Sequence, residues 1–133
     1  MTLSDKTILV TGATSGIGRA TATKLIEGGA TVIAVGRNSA RLDEMATQWG
    51  NRCVPIEFDL TQDQQLGHIV DSLPMLNGVV MSAGIVKNNP IKFFNRAVFD
   101  EILTINLVSP LILSVELSNR KRLHVGSSLV FLS

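Results

Sequence analysis

Three glycines in the segment Thr11-Gly12-Ala13-Thr14-Ser15-Gly16-Ile17-Gly18 are the residues of this chain best suited to chemistry. Positions without a Cβ permit a tight turn and let the backbone approach a phosphate, whose charge then sits at the N-terminus of the following helix. The hydroxyls of Thr14 and Ser15 can add donors beside it. The spacing is G-x-x-x-G-x-G rather than the general G-x-G-x-x-G, so the glycines alone carry little weight. Their placement carries more, between an apolar run and a helical pattern. As a purely structural turn, the segment would leave a helix N-terminus facing only water. A phosphate-binding loop is the expected role.

Arg37 is the second candidate, directly after the apolar run at residues 31–35 and Gly36. In dinucleotide-binding α/β folds an acid at this place holds the ribose hydroxyls of NAD, whereas an arginine accommodates the 2′-phosphate of NADP. A guanidinium is permanently charged and bidentate toward phosphate. Arg19 and Arg41 offer the same chemistry, and Arg37 is preferred for its place right after the strand. NADP is therefore expected over NAD.

The elements that must position these groups alternate. Residues 7–10 read as a buried strand, and a helix over residues 17–27 is stopped by Gly28 and Gly29. Residues 31–35 form a second strand, followed by a helix whose stripe Leu42, Met45, Ala46 and Trp49 has helical spacing. Met45 and Trp49 read as core. A third strand covers residues 53–58, with Pro55 favouring one-sided or irregular pairing, and Thr61 is placed to cap the next helix. That helix carries Leu66, Ile69, Val70 and Leu73 and ends at Pro74, and residues 78–81 form a fourth strand. A polar loop over residues 85–95 precedes a helical region from about Ala97 to about Leu123, whose basic end Arg120-Lys121-Arg122 suits a helix C-terminus or simply a solvated end. Residues 128–132 form a fifth strand. This alternation implies a parallel sheet with right-handed crossovers and helices on both faces.

Composition limits the alternatives. A chain of 133 residues with 45% hydrophobic content supports one domain over residues 1–133. Lysine and arginine number 12 against 11 acids, a balance with no field to hold nucleic acid. The single cysteine, Cys53, cannot form an internal disulfide and reads as a small core residue. The first residues show no basic stretch leading into an apolar one, so a soluble cytoplasmic protein is expected. The apolar stretch 102–117 contains Asn106 and Pro110 and is shorter than the roughly 20 residues a bilayer needs, so a buried helix and no membrane partner are expected.

The glycine segment matches in full the T-G-x-x-x-G-x-G motif of the short-chain dehydrogenases/reductases, and the chain resembles that family along essentially its whole length. The resemblance implies a Rossmann-type α/β fold, a doubly wound parallel sheet of about five strands in the order 3-2-1-4-5, incomplete against the family's full fold. It implies that Asp59 contacts the adenine and that Ala83 and Gly84 end the family's N-N-A-G motif, with Met81 and Ser82 standing where the asparagines would be. Asn106, in Thr104-Ile105-Asn106-Leu107, matches the family's catalytic asparagine, although a polar residue satisfied by backbone is an equal reading of it alone. The implied cofactor set is Gly12, Thr14, Ser15, Gly16, Ile17, Gly18, Arg37, Asp59, Leu60, Ala83 and Gly84, with no metal.

In that family hydride passes between the nicotinamide and a carbonyl or alcohol carbon, a tyrosine transfers the proton, a lysine four residues later lowers its pKa and a serine polarises the oxygen. This sequence contains no tyrosine, and Ser133 aligns one place before the serine. The chain is thus expected to be the truncated, inactive cofactor-binding portion of an NADP-dependent oxidoreductase, with the substrate left open. A non-catalytic nucleotide-binding or sensor module and a self-associating structural fragment are the competing expectations. The helix around Asn106 is apolar nearly all round, so burial on two sides, against the sheet and against the same helix of a second subunit, is expected.

Overall fold

The computed structural model describes residues 2–85 and 90–132. Five strands, β1 (Thr7–Thr11), β2 (Thr31–Gly36), β3 (Cys53–Glu57), β4 (Leu76–Met81) and β5 (Leu123–Phe131), form one sheet. All neighbours pair in parallel and the order is β3-β2-β1-β4-β5, as the family resemblance implied. Because successive side chains on a strand point to opposite faces, β1 feeds two cores at once. Leu9 joins Ile33, Val79, Leu113 and Leu117 on one face. Ile8 and Val10 join Ala22, Ile26, Leu42 and Met45 on the other. The second face is covered by α1 (Gly16–Glu27) and α2 (Ser39–Trp49), and the first by α3 (Leu66–Asp71) and α5 (Ser109–Asn119).

The chain steps outward from β1 through β2 to β3, then returns to place β4 and β5 on the other side of β1. The two directions of winding diverge at β1 and β4, which opens a crevice at the carboxyl ends of the strands. The candidate functional site lies there.

Several local expectations are corrected. Thr61 does not cap a helix: its N–H and its hydroxyl both donate to the Asp59 carboxylate, and the next turn begins at Asp63 behind Gln62. The last helical region ends at Asn119, and β5 starts at Leu123 rather than at 128, because Lys121 takes a left-handed conformation (φ 55°) that turns the chain into the sheet early. The basic residues there serve α3 as well. The Arg122 guanidinium donates to the carbonyl oxygens of Val70 (3.2 Å) and Asp71 (3.3 Å), and Arg120 pairs with Asp71 and Glu116. Cations on the last carbonyls of a helix satisfy acceptors the helix itself leaves unpaired.

The helical region from Arg96 to Asn119 also differs from expectation. It is α4 (Arg96–Leu103), a π-helical turn over Thr104–Val108, and α5. Its 24 residues are long and apolar enough to cross a bilayer by length and composition, but its packing is that of a helix on a sheet. Within the single chain one side is buried, the side expected on the sheet: Ile105, Ser109, Leu113 and Leu117, spaced by four, face inward. Phe99, Leu103, Leu107, Leu111 and Val115 form an exposed stripe at the same spacing, each 37–54% accessible. Pro55 lies on β3, which pairs only with β2, as its missing N–H requires.

The two-core arrangement has a testable consequence. Leu42 is 2% exposed between α2 and the sheet, so Leu42→Ala is expected to lower stability by about 2–5 kcal/mol in urea denaturation, against under about 0.5 kcal/mol for Glu44→Ala on the solvent side of the same helix.

Candidate functional site

At the end of β1 the chain turns through Gly12 (φ +64°) and Gly16 (φ +55°) into α1. The glycines of this loop do different jobs. A Cβ on Gly12 would lie 2.7 Å from the backbone of Ala83, and one on Gly18 would lie 2.0 Å from the Gly12 carbonyl oxygen. Both positions must lack a side chain for the loop, the first turn of α1 and the end of β4 to share the space. Gly16 is different. Nothing lies within 4 Å of the place its Cβ would take, so only its left-handed backbone asks for glycine, and the space beside it is open. Ser15, the residue ahead of α1, makes no side-chain capping bond. The first N–H groups of α1 are thus left for an outside acceptor, and a phosphate is the acceptor that such a helix end favours.

The crevice beside this loop holds a cavity of about 220 Å³. Gly12, Thr14 and Ser15 line it from the loop, and Val35, Gly36, Arg37 and Asn38 line it from the end of β2. Phe58 and Leu60 face it beyond β3, and Ala83, Gly84, Ile85 and Ile105 close it from the side of β4 and the long helix. Polar donors at one end and aliphatic and aromatic side chains at the other suit a ligand with a charged middle and a flat, weakly polar base. The residues present therefore fit a dinucleotide: an uncapped helix end and an open glycine for the pyrophosphate, and an apolar wall for the adenine.

Of the residues singled out in the sequence, Gly12, Thr14, Ser15, Arg37, Leu60, Ala83 and Gly84 lie in the cavity wall. Gly16, Ile17 and Gly18 continue from it along the first turn of α1, with Ile17 68% exposed. Asp59 stands between two wall residues, but its carboxylate is turned into the bonds with Thr61. The Thr61 backbone N–H chiefly holds that carboxyl below the usual range, against a smaller opposing effect of burial, with the Thr61 hydroxyl and the charge of Arg37 adding to the lowering. Its ionised turn fixes Phe58 and Leu60 on either side, and Ser109 secures Leu60 by donating to its carbonyl.

Asn106 sits in the π-helical turn and grips the loop after β4. Its side-chain oxygen accepts from the Ile85 N–H and its amide donates to the Ile85 carbonyl, each at 2.9 Å. A Cβ on Gly84 would come within 3.2 Å of the Asn106 side-chain oxygen, so that glycine lets the brace close. What the structure shows for Asn106 is positioning of the Gly84–Ile85 wall. The position of Ser133 lies outside the described residues, as does the middle of the polar loop at 86–89.

Sequence reasoning missed Val35, Gly36, Asn38, Phe58, Ile85 and Ile105 in the wall. Gly36 carried a signal: a Cβ there would meet the Thr14 methyl at 2.7 Å, so a glycine directly before Arg37 marks close approach of the β2 end to the loop. The others lie on β2, in the π-helical turn or in the loops that follow β2, β3 and β4, and only the winding of the chain brings them to the crevice.

The unequal roles of the glycines predict unequal mutants. Gly18→Ala is expected to disrupt the fold, with loss of the cooperative thermal transition or a fall of about 3 kcal/mol or more, because the obstruction is backbone. Gly16→Ala should cost only about 1–2 kcal/mol of backbone strain and leave a folded protein, as read by thermal denaturation.

The comparisons with known proteins agree with this construction. The family model described as short chain dehydrogenase matches residues 6–132. An uncharacterized oxidoreductase of Staphylococcus epidermidis is 35% identical over 109 residues, covering 79% of this chain and 47% of the relative. A probable NADP-dependent dehydrogenase of Haemophilus influenzae is 46% identical over 72 residues, 54% of this chain and 29% of its own length. Among solved structures, a short-chain dehydrogenase from Streptomyces avermitilis superimposes with a TM-score of 0.89 at 26% identity, covering all of this chain and 50% of that one. A putative NAD(P)-dependent gluconate 5-dehydrogenase from Beutenbergia cavernae, with bound NADP, matches at a TM-score of 0.78 and 30% identity over 89% of this chain and 49% of that one. The chain thus spans about half the length of the Staphylococcus relative and of these two solved structures. With the glycine loop, the strand order and the crevice in agreement with these matches, the chain belongs to the short-chain dehydrogenase family.

Proposed function

We propose that this chain holds NADP for an oxidoreductase that passes hydride between the nicotinamide and a carbonyl or alcohol substrate. The observation that carries the reading is the open side of Gly16 at the uncapped start of α1, next to the cavity whose wall Arg37 and Ser15 share. When bound, the dinucleotide supplies the hydride donor or acceptor, and the protein supplies its place. The N–H groups of the first turn of α1 bind the pyrophosphate, Arg37 meets the 2′-phosphate, and Phe58, Leu60 and Ile105 exclude water from around the adenine. Asn106 acts through Ile85, holding the wall that the nicotinamide half passes. The Haemophilus relative, a probable NADP-dependent dehydrogenase, and the NADP bound in the Beutenbergia structure support the choice of NADP. The wider activity belongs to a protein of about twice this length, as the relatives are, and a cytoplasmic location goes with the single buried Cys53.

The reading includes self-association. The stripe Phe99, Leu103, Leu107, Leu111 and Val115 is apolar over five turns and lies opposite the buried side of its helix. A second copy of the same helix matches it in length and chemistry, and an isologous pair would bury both stripes together.

Two measurements test these statements. Calorimetric titration is expected to show NADPH binding more tightly than NADH, and Arg37→Ala is expected to weaken NADPH about 10- to 100-fold while leaving NADH unchanged. Equal affinity for the two, or no binding of either, contradicts the cofactor assignment. Light scattering at micromolar concentration is expected to give a dimeric or larger mass that Leu107→Glu and Leu111→Glu reduce to that of a monomer, and a monomeric native chain contradicts the assembly.

A further inference from the structure

Leu60 stands in the cavity wall beyond the last register pair of β3 at Glu57, so the sheet ladder no longer fixes its backbone. Two bonds hold the segment around it. The Phe58 N–H donates to the Gly36 carbonyl at the end of β2, and the Gln62 N–H donates to the Asp59 carbonyl, each at 2.9 Å. Neither engages the Leu60 carbonyl. That acceptor takes the Ser109 hydroxyl, which comes from the long helix on the opposite side of the crevice. Leu60 is 8% exposed and Ser109 is fully buried, so the bond is shielded from water, and removing its donor would leave a buried carbonyl without a partner.

Ser109 opens α5, with Pro110 directly after it. Proline supplies no N–H to a helix ladder, and the ladder is irregular at this point, since Thr104–Val108 is a π-helical turn. Residues three apart on a regular α-helix share a face. Here Asn106 reaches Ile85, whereas Ser109 reaches Leu60. Ile105, four residues before Ser109 on the buried side, is itself a wall residue. One helix therefore places Ile105 in the wall and holds the backbone of Leu60 in the same wall. The spacing between these two apolar groups depends on the Ser109 bond. Ser114 provides the contrast. Its hydroxyl donates to the Pro110 carbonyl at 2.8 Å and lies 3.8 Å from the Met81 sulfur, and neither partner belongs to the cavity wall.

We infer that Ser109 is a positioning residue for the adenine, acting through the Leu60 carbonyl to set how far Leu60 stands from Ile105. The inference deepens the proposed function and rests on it. A hydroxyl that merely stabilised the helix would change the melting temperature and leave recognition of the base alone. A hydroxyl that positions Leu60 changes affinity only for ligands that carry the base.

The test is the calorimetric affinity of the native chain, Ser109→Ala and Ser114→Ala for NADPH, NADH, ADP and inorganic pyrophosphate. Ser109→Ala is expected to bind NADPH, NADH and ADP each about tenfold more weakly, with the affinity for pyrophosphate unchanged. The pyrophosphate value reports that the variant is folded with its glycine loop intact. Ser114→Ala is expected to match the native chain for all four. Native-like affinity of Ser109→Ala for ADP, or a loss that pyrophosphate shares, would overturn the role of Ser109 and leave the cofactor reading standing. A native chain that binds none of the adenine-bearing ligands would overturn both.

Discussion

Three stretches of backbone meet where β1 hands over to α1, and their close approach governs the rest of the molecule. The Gly12 turn, the Gly18 position of α1 and the end of β4 at Ala83 occupy a space that a single Cβ at Gly12 or Gly18 would take. This packing draws the first helix down onto its own loop and brings the β4 end alongside. The sheet can then reverse its winding between β1 and β4 while keeping both strands buried, with Leu9 and Val79 in one core and Ile8 and Val10 in the other. The crevice is the external consequence of that reversal. Gly16 is the place in the loop where the conformational demand persists and the steric one does not, which leaves the start of α1 open on that side.

Around this constraint the wall is held by bonds that are themselves polar and local. Asp59 spends its charge on Thr61 and so fixes Phe58 and Leu60; Asn106 spends its amide on Ile85 and so fixes the opposite side. Ser109, fully buried, ties the long helix to Leu60. The π-helical turn lets one helix serve both ends of this arrangement, since Asn106 and Ser109 leave it toward different partners. Insertion of one residue into a helical turn at such a place shifts side-chain directions without breaking the helix.

Much of this was legible in the residue order. The glycine segment, the apolar strands and the amphipathic stripe of α2 each carry a local signal, because a buried parallel strand and a one-sided helix impose their periods on the sequence. What escaped was set by tertiary contact. Thr61 caps no helix because the next helical turn begins at Asp63 with Gln62 ahead of it, and Thr61 instead donates twice to Asp59 in a turn of its own. The early start of β5 depends on a left-handed Lys121, which no propensity singles out. The cavity residues Val35 and Ile105 have side chains of no special chemistry, and only the winding of the chain makes them neighbours.

The central claim, that the open Gly16 corner and the β2 end form one dinucleotide site, is tested most directly by backbone amide NMR of the chain titrated with NADP. The account predicts saturable shifts confined to Gly12, Ser15–Gly18, Arg37–Asn38, Leu60 and Ala83–Ile85, with the largest at Gly16 and Ile17 where the pyrophosphate meets the helix. Shifts centred elsewhere on the sheet, or none at Gly16 under saturating ligand, would contradict it.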